Sequence, residues 1–389
     1  MRMKNIIDYI IRFLLHGHDE AAQYVGYTAD RSLWHNYKVV IPPCGHLAKD
    51  WVLPDMESPH IIQAEGSDTL VIDKDIVYNT LFFISRAEEL INPQRDEHGR
   101  FAARFSILGT HNRMLIPIVD EYSDLLVKAL DLTPCEQRIA KTWLTHDVDT
   151  LSQYRSLRGT IGGLRRGEFG QLAKAWRNLK SDPAYTFPWL IKQDAAVAGA
   201  ESIYFVKITS GKGLDYPQYN LSGCDYRQTR RLLLDSGARL GLHSSCYGTL
   251  PEQVPAESGI DMRLHRSHYL CCSLKQMQRL CDAGVTDDFT MGFADMAGFR
   301  LQTSRPFRWI NPETMELTNL TLHPLILMDA TLSAPHYMGL SEDEAYFFAE
   351  QLIRRTRLHN GEATLLWHNS NINTQTYHRS LYPKLLQLL

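Results

Sequence analysis

From about residue 140 onward, short apolar runs alternate with longer stretches of helical periodicity, a rhythm expected of stacked strand–helix units. Strand candidates are Thr142–Thr145, Ser202–Ile208, Arg239–Leu242, Met262–Leu264, Phe289–Met291, Pro324–Met328 and Ala363–Trp367. Helices with readable ends lie between them. One runs from Asp225 to Leu234 and stops at Ser236-Gly237; another starts from the N-cap Ser273 and ends at Gly284. Ser341-Glu-Asp-Glu344 has the form of a capping box, opening a helix to about Leu358 that stops at Asn360-Gly361. This alternation over about 250 residues predicts an α/β fold with a parallel sheet. A distorted (β/α) barrel of seven or eight strands suits the length better than a flat sheet.

The first part of the chain has a different texture. Short strand candidates, Tyr37–Ile41 and Thr69–Ile72, sit among loops bearing Pro and Gly. A helix is expected over Ile76–Ile91 and a second over Ile116–Leu130, with a polar loop at Gln94–Arg100 between them. The Pro-containing connector Asp131-Leu-Thr-Pro-Cys135 marks a boundary, giving an N-terminal α/β accessory domain (1–135) and a barrel (136–389). At the extreme N-terminus Ile6, Ile7, Ile10, Ile11 and Leu14 repeat at amphipathic spacing, while Asp8 and Arg12 interrupt the apolar stretch and no small-residue cleavage site follows. The reading is a docking helix, not a secretory signal, in a cytoplasmic protein. The segment Leu151–Lys180, rich in Arg and Lys, is expected to overhang the barrel mouth.

Composition narrows the partners. A net charge of −3 with 22% charged residues gives little long-range attraction for nucleic acid or a membrane surface, and nucleic acid is not an expected partner. No apolar run approaches the roughly 20 residues that cross a bilayer, so no integral membrane segment is expected. The seven cysteines show no Cys-x-x-Cys pair and read as reduced structural thiols. Nothing in the pattern fixes an oligomeric state.

Four strand candidates run directly into chemistry. Trp-Leu-Thr-His-Asp-Val-Asp149, Leu-Gly-Leu-His243, Arg266-Ser-His268 and Leu-Leu-Trp-His368 each end a strand. In a parallel barrel the C-terminal strand ends converge on one mouth, so residues far apart in sequence can share a site. Asp147 and Asp149 are two apart and would face the same side. Two such carboxylates repel unless a cation lies between them or one is protonated, which suits a divalent ion with one Asp as ligand and the other as base. Taken singly, each His or Asp could equally be a hydrogen-bonded core residue or a cap.

The order Thr-His-Asp-Val-Asp149, Gly-Leu-His243-Ser-Ser, Arg266-x-His268-Tyr-Leu and Leu-Trp-His368-Asn resembles the polysaccharide deacetylase superfamily (NodB-homology domain, carbohydrate esterase family 4) over residues 140–389. Thr286-Asp-Asp-Phe-Thr-Met-Gly and Ala297-Gly-Phe-Arg300, with Asp75-Ile-Val, Phe82-Phe-Ile-Ser-Arg-Ala-Glu-Glu89 and Asp96-Glu-His-Gly-Arg100, are similar to bacterial deacetylase-like proteins that carry an extra N-terminal domain. The resemblance implies a distorted barrel holding one divalent metal, usually zinc, with cobalt or nickel as alternatives. It implies Asp147 as general base, Asp149 and His243 as metal ligands, His368 as general acid and Arg266 steering the base. The family has a second histidine ligand four residues after the first, where this chain has Tyr247. His268 is the expected replacement and His265 the reserve. Asp288 and Arg300 are expected to bind substrate at the mouth. The implied activity is hydrolysis of the acetyl group from an N-acetylated sugar or polysaccharide precursor. The alternatives are an inactive carbohydrate-binding or assembly protein, or a hydrolase of another amide.

Overall fold

Short strands come first: β1 (Val25–Tyr27), β2 (Val39–Ile41), β3 (Ile61–Gln63) and β4 (Leu70–Ile72) pair in the order β1-β2-β4-β3. The larger sheet contains β5 (Lys141–Val148), β6 (Glu201–Ile208), β7 (Arg239–Ser244), β8 (Asp261–Ser267), β9 (Asp287–Asp288), β10 (Phe307–Asn311), β11 (Glu316–Leu322), β12 (Leu327–Met328) and β13 (Glu362–Leu366). These assignments come from a computed structural model describing residues 2–46, 50–208, 219–245, 254–372 and 376–389.

The nine strands of the larger sheet follow the order β10-β11-β9-β8-β7-β6-β5-β13-β12, and every pairing is parallel except the β10–β11 hairpin. The fold is therefore α/β with a mainly parallel sheet. Regular ladder pairing among the described residues ends at β12 and β10. His323 N–H donates to the Asp288 carbonyl at 2.9 Å, continuing the β11–β9 pairing, and just before β12 Leu325 N–H donates to the Met291 carbonyl at 3.2 Å and Ile326 N–H to that of Thr364 at 3.2 Å.

The β10–β11 hairpin is absent from the pattern-based reading. Leu320 and Leu322 stand two apart in β11, but β10 is a short run followed by Pro312, which favours a turn reading. The strand expected at Phe289–Met291 lies two residues earlier, at β9, because those residues continue the path without regular pairing.

Helices follow local rules. Asp75 caps the helix Ile76–Ser85 by accepting the Tyr78 N–H at 2.8 Å. All ten of its residues are buried, the polar Asn79, Thr80 and Ser85 among them. The single helix expected to Ile91 is broken: Arg86 takes a left-handed φ of 67°, and helix resumes only at Glu88–Ile91. The capping box at Ser341 and Glu344 forms as read. The N-terminal helix Arg2–Leu15 buries Ile6, Ile10, Ile11, Leu14 and Leu15. It packs in one apolar core with Ile76, Leu81 and Phe82, with Leu274 and Met277, and with Trp309 and Leu322 of the hairpin. Residues from both parts of the chain thus share that core.

Alternation along the parallel strands sorts side chains into two faces. Leu144, Tyr204, Val206, Leu240, Ala363, Leu365 and Trp367 pack outward against helices. Trp143, Ile203, Phe205, Leu264 and Phe289 form a separate apolar cluster inside the curved sheet. Gly241 makes room for it, since a Cβ there would stand 2.6 Å from the Phe205 ring.

Candidate metal centre and active site

The inward parity that places Trp143, Phe205 and Leu264 in the interior cluster also carries Asp147 and Asp149, Lys207, His243, and Arg266 and His268 along their strands. One step further towards the C-terminal ends, the inner face changes from apolar to charged. Phe205 forms the floor: the Arg266 guanidinium lies 4.6 Å above its ring. Arg266 is fully buried, donating Nη1 to Asp147 Oδ1 at 3.1 Å and Nε to the Phe289 carbonyl at 3.0 Å. The second oxygen of Asp147 remains directed at the histidines, 3.4 Å from His243 Nε2 and 3.9 Å from His368 Nε2.

Above this pair Asp149, His243 and His268 converge, with one ligand atom from each lying within 4.8 Å of the others. Asp149 Oδ1 is 3.5 Å from His243 Nε2 and 3.4 Å from His268 Nε2. Such separations match the edges of a tetrahedron around an ion with bonds of about 2.1 Å. The ring of His243 is oriented for ligation, because Nδ1 donates to the Arg266 carbonyl at 3.0 Å and leaves the Nε2 lone pair facing inward. Asp149 Oδ1 and His243 Nε2 are both buried without a hydrogen-bond partner among the described residues. Buried polar atoms are rarely left so, and a cation would satisfy both. The donor set, one carboxylate oxygen and two imidazoles, fits zinc and the neighbouring divalent ions. Burial pushes the Asp149 carboxyl up, but His243, His268 and His368 outweigh it and hold the group well below the usual range.

His368 meets the same two aspartates, its Nε2 lying 3.9 Å from Asp147 Oδ2 and 3.9 Å from Asp149 Oδ2. Asp329 Oδ1 accepts its Nδ1–H at 2.7 Å, and Asp329 Oδ2 accepts its backbone N–H at 2.8 Å and the Asn371 amide at 3.0 Å. Burial alone would lower the imidazole's pKa; Asp329, with Asp147 and Asp149, more than reverses this and raises it to about 10. The ring therefore carries a proton near neutrality, with Nε2 turned to the two aspartates.

Lys207 was not anticipated. Its buried Nζ lies 3.3 Å from His268 Nε2 and 3.9 Å from Asp149 Oδ1, so a cationic side chain borders the ligand cluster. A lone lysine in the apolar run Ile-Tyr-Phe-Val-Lys-Ile208, at the parity of Phe205, was the available signal. Asp329, directly after the expected strand Pro324–Met328, takes its role from the pairing with His368.

Three expected residues sit elsewhere. Asp288 and His265 have the opposite parity: His265 Nδ1 donates to Asp288 Oδ2 at 2.6 Å and its Nε2 meets Ser244 Oγ at 2.8 Å. Both are fully buried behind the sheet, so Asp288 does not line the mouth and His265 is not a reserve ligand. Arg300 is also buried, donating to Glu89 Oε1 at 2.8 Å and to the Gly292 carbonyl at 2.9 Å. It joins two parts of the chain and has no face toward the cleft. Tyr247 lies outside the described residues. The cleft itself, about 410 Å³, is lined by Asp149, Lys207, His268 and Tyr269, with Ser152 and Gln153 at its rim.

Residues 11–133 match a family of unknown function (DUF7033). No curated protein matches the chain. Two solved structures are similar in outline. One is a provisionally named polysaccharide deacetylase from Mycobacterium smegmatis, with 14% identity over 66% of this chain and 87% of its own, at a TM-score of 0.42. The other is a provisionally named polysaccharide deacetylase involved in O-antigen biosynthesis from Bordetella bronchiseptica, with 13% identity over 64% and 84%, at a TM-score of 0.33. Similarity this distant assigns neither fold nor chemistry to this chain, and no helix among the described residues is long and apolar enough to cross a membrane.

Proposed function

We propose that this chain is a metal-dependent hydrolase that removes the acetyl group from an N-acetylated sugar or polysaccharide precursor. The carrying observation is that Asp149 Oδ1 and His243 Nε2 are buried without hydrogen-bond partners beside His268. The motif order read from the sequence supports the superfamily. The bonds from Leu325 N–H to the Met291 carbonyl and from Ile326 N–H to the Thr364 carbonyl support a distorted barrel, and the strand-end placement of Asp149, His243, His268 and His368 supports a mouth.

Asp149, His243 and His268 would hold one divalent ion, zinc above cobalt or nickel, which when bound acidifies water and polarises an acyl carbonyl. Asp147, fixed through Oδ1 by Arg266, presents Oδ2 to take the proton of the attacking water. His368, held by Asp329, presents a protonated Nε2 to the departing nitrogen. Water adds to the acyl carbon, the C–N bond breaks, and the nitrogen leaves with the His368 proton as an amine beside acetate. Elemental analysis of the purified protein should find about one divalent ion per chain, lost in His243→Ala and His268→Ala, with acetate released from N-acetylated oligosaccharides only by the metal-bearing form. No metal after incubation with zinc, cobalt or nickel would sink the hydrolase reading.

One observation favours a second reading, a non-catalytic saccharide-binding protein. Lys207 Nζ lies beside the cluster and supplies positive charge there without an ion.

A further inference from the structure

The segment between β5 and β6 folds as two short helices, Leu157–Arg165 and Phe169–Arg177. Gly163 lets them approach closely, since a Cβ there would lie 2.9 Å from Leu172 and 3.0 Å from Tyr154. Arg155 anchors the pair through two bonds to Asp225, at 2.8 and 2.7 Å. The hairpin is thus built, yet it leaves apolar side chains in water. Leu157, Ile161 and Leu164 follow i, i+4, i+7 spacing on the first helix, and Leu157 is 80% exposed. Phe169 and Trp176, seven apart on the second, are 63% and 50% exposed.

Around these rings and chains the charge is one-sided. Residues 155–180 contain seven Lys and Arg against the single acidic Glu168, in a chain whose net charge is −3. Arg155 and Arg166 have acidic partners; Arg158, Arg165, Lys174 and Arg177 have none among the described residues. An open groove of about 1040 Å³, lined by Leu157, Arg158, Ile161 and Arg165, shares Ser152 and Gln153 with the cleft below His268.

We infer that this hairpin docks the protein on an anionic lipid bilayer, with the apolar stripes entering the interface and the cations meeting the headgroups. An amphipathic surface with aromatic and aliphatic residues on one face and Lys or Arg beside it binds this way. A second copy is disfavoured as occupant, because a two-fold contact would set like charges against each other. Docking here places the mouth next to the bilayer, which goes beyond the hydrolase reading and does not depend on it.

Cosedimentation of the full chain with phosphatidylcholine vesicles, with and without phosphatidylglycerol, tests the inference without substrate. Binding should require phosphatidylglycerol and weaken about fivefold for each of Arg158→Gln, Arg165→Gln and Lys174→Gln. The pair Leu157→Ser and Phe169→Ser, both at exposed positions, should abolish it while metal content stays at the wild-type level. Equal sedimentation with both vesicles, unchanged binding by the variants, or a dimer that the Ser variants dissociate in the absence of vesicle binding would each overturn it. Metal loss with vesicle binding intact would instead count against the hydrolase reading alone.

Discussion

Asp329 grips His368 twice: one carboxylate oxygen accepts the ring Nδ1–H at 2.7 Å and the other the backbone N–H of the same residue at 2.8 Å. Such a two-point hold fixes both the tautomer and the direction of Nε2, which faces Asp147 and Asp149 at 3.9 Å.

Asp329→Asn should therefore retain the metal and lower kcat by roughly 10²- to 10⁴-fold, the range ascribed to a positioned acid. Turnover of an N-acetylated oligosaccharide, paired with elemental analysis, checks this. Wild-type turnover in the metal-loaded variant would remove His368 from the reaction.

Lys207 should oppose the ion. Its charge near Asp149 and His268 repels a divalent cation, so Lys207→Met is expected to tighten zinc binding at least about tenfold. Calorimetric titration of the metal-stripped protein measures it. Weaker binding in the variant would mean that the lysine orients His268 instead of competing with the metal.

A pH effect on stability is expected from the opposite end of the sheet. His323 donates Nδ1–H to Glu362 at 2.7 Å, and its Nε2 faces Asp287 at 3.2 Å, so both nitrogens address carboxylates. Burial would lower its pKa, but Asp287 and Glu362 raise it to about 9. Because the folded value exceeds the unfolded one, the contribution is complete below about pH 6.5 and lost as pH rises through 9. Unfolding free energy should fall by at most about 3 kcal/mol across that window. Urea titrations at several pH values should show this slope in wild type and a flatter one in His323→Gln; identical slopes would refute it.

Glu89 joins the two parts of the chain. It binds Arg86 through both oxygens at 2.7 Å and Arg300 at 2.8 Å, with all three groups buried. Glu89→Gln leaves two buried guanidiniums facing each other and should destabilise the protein by about 3–5 kcal/mol. Adding Arg300→Met should restore part of that loss, as read from denaturant midpoints. A loss under about 1 kcal/mol, the worth of an exposed pair, would show the network to be solvated.

Much of this was legible in local pattern. The capping box at Ser341, the stop at Gly284 and the strands ending in Asp149, His243, His268 and His368 depend on neighbours within a few residues, and each formed where expected. The interrupted helix at Arg86 was not legible, because what ends it is Arg86 reaching Cys272, 186 positions away, at 2.7 Å.

Local pattern is enough to say which residue types end each inner strand, since alternation by two decides which side chains share a face once a strand exists. Tertiary structure decided which of them meet. The successive registers of β6, β7 and β8 set Lys207 beside His268, and parity hid Asp288 behind the sheet, because register across the sheet, and one step of parity along it, are properties of paired strands and not of any one segment.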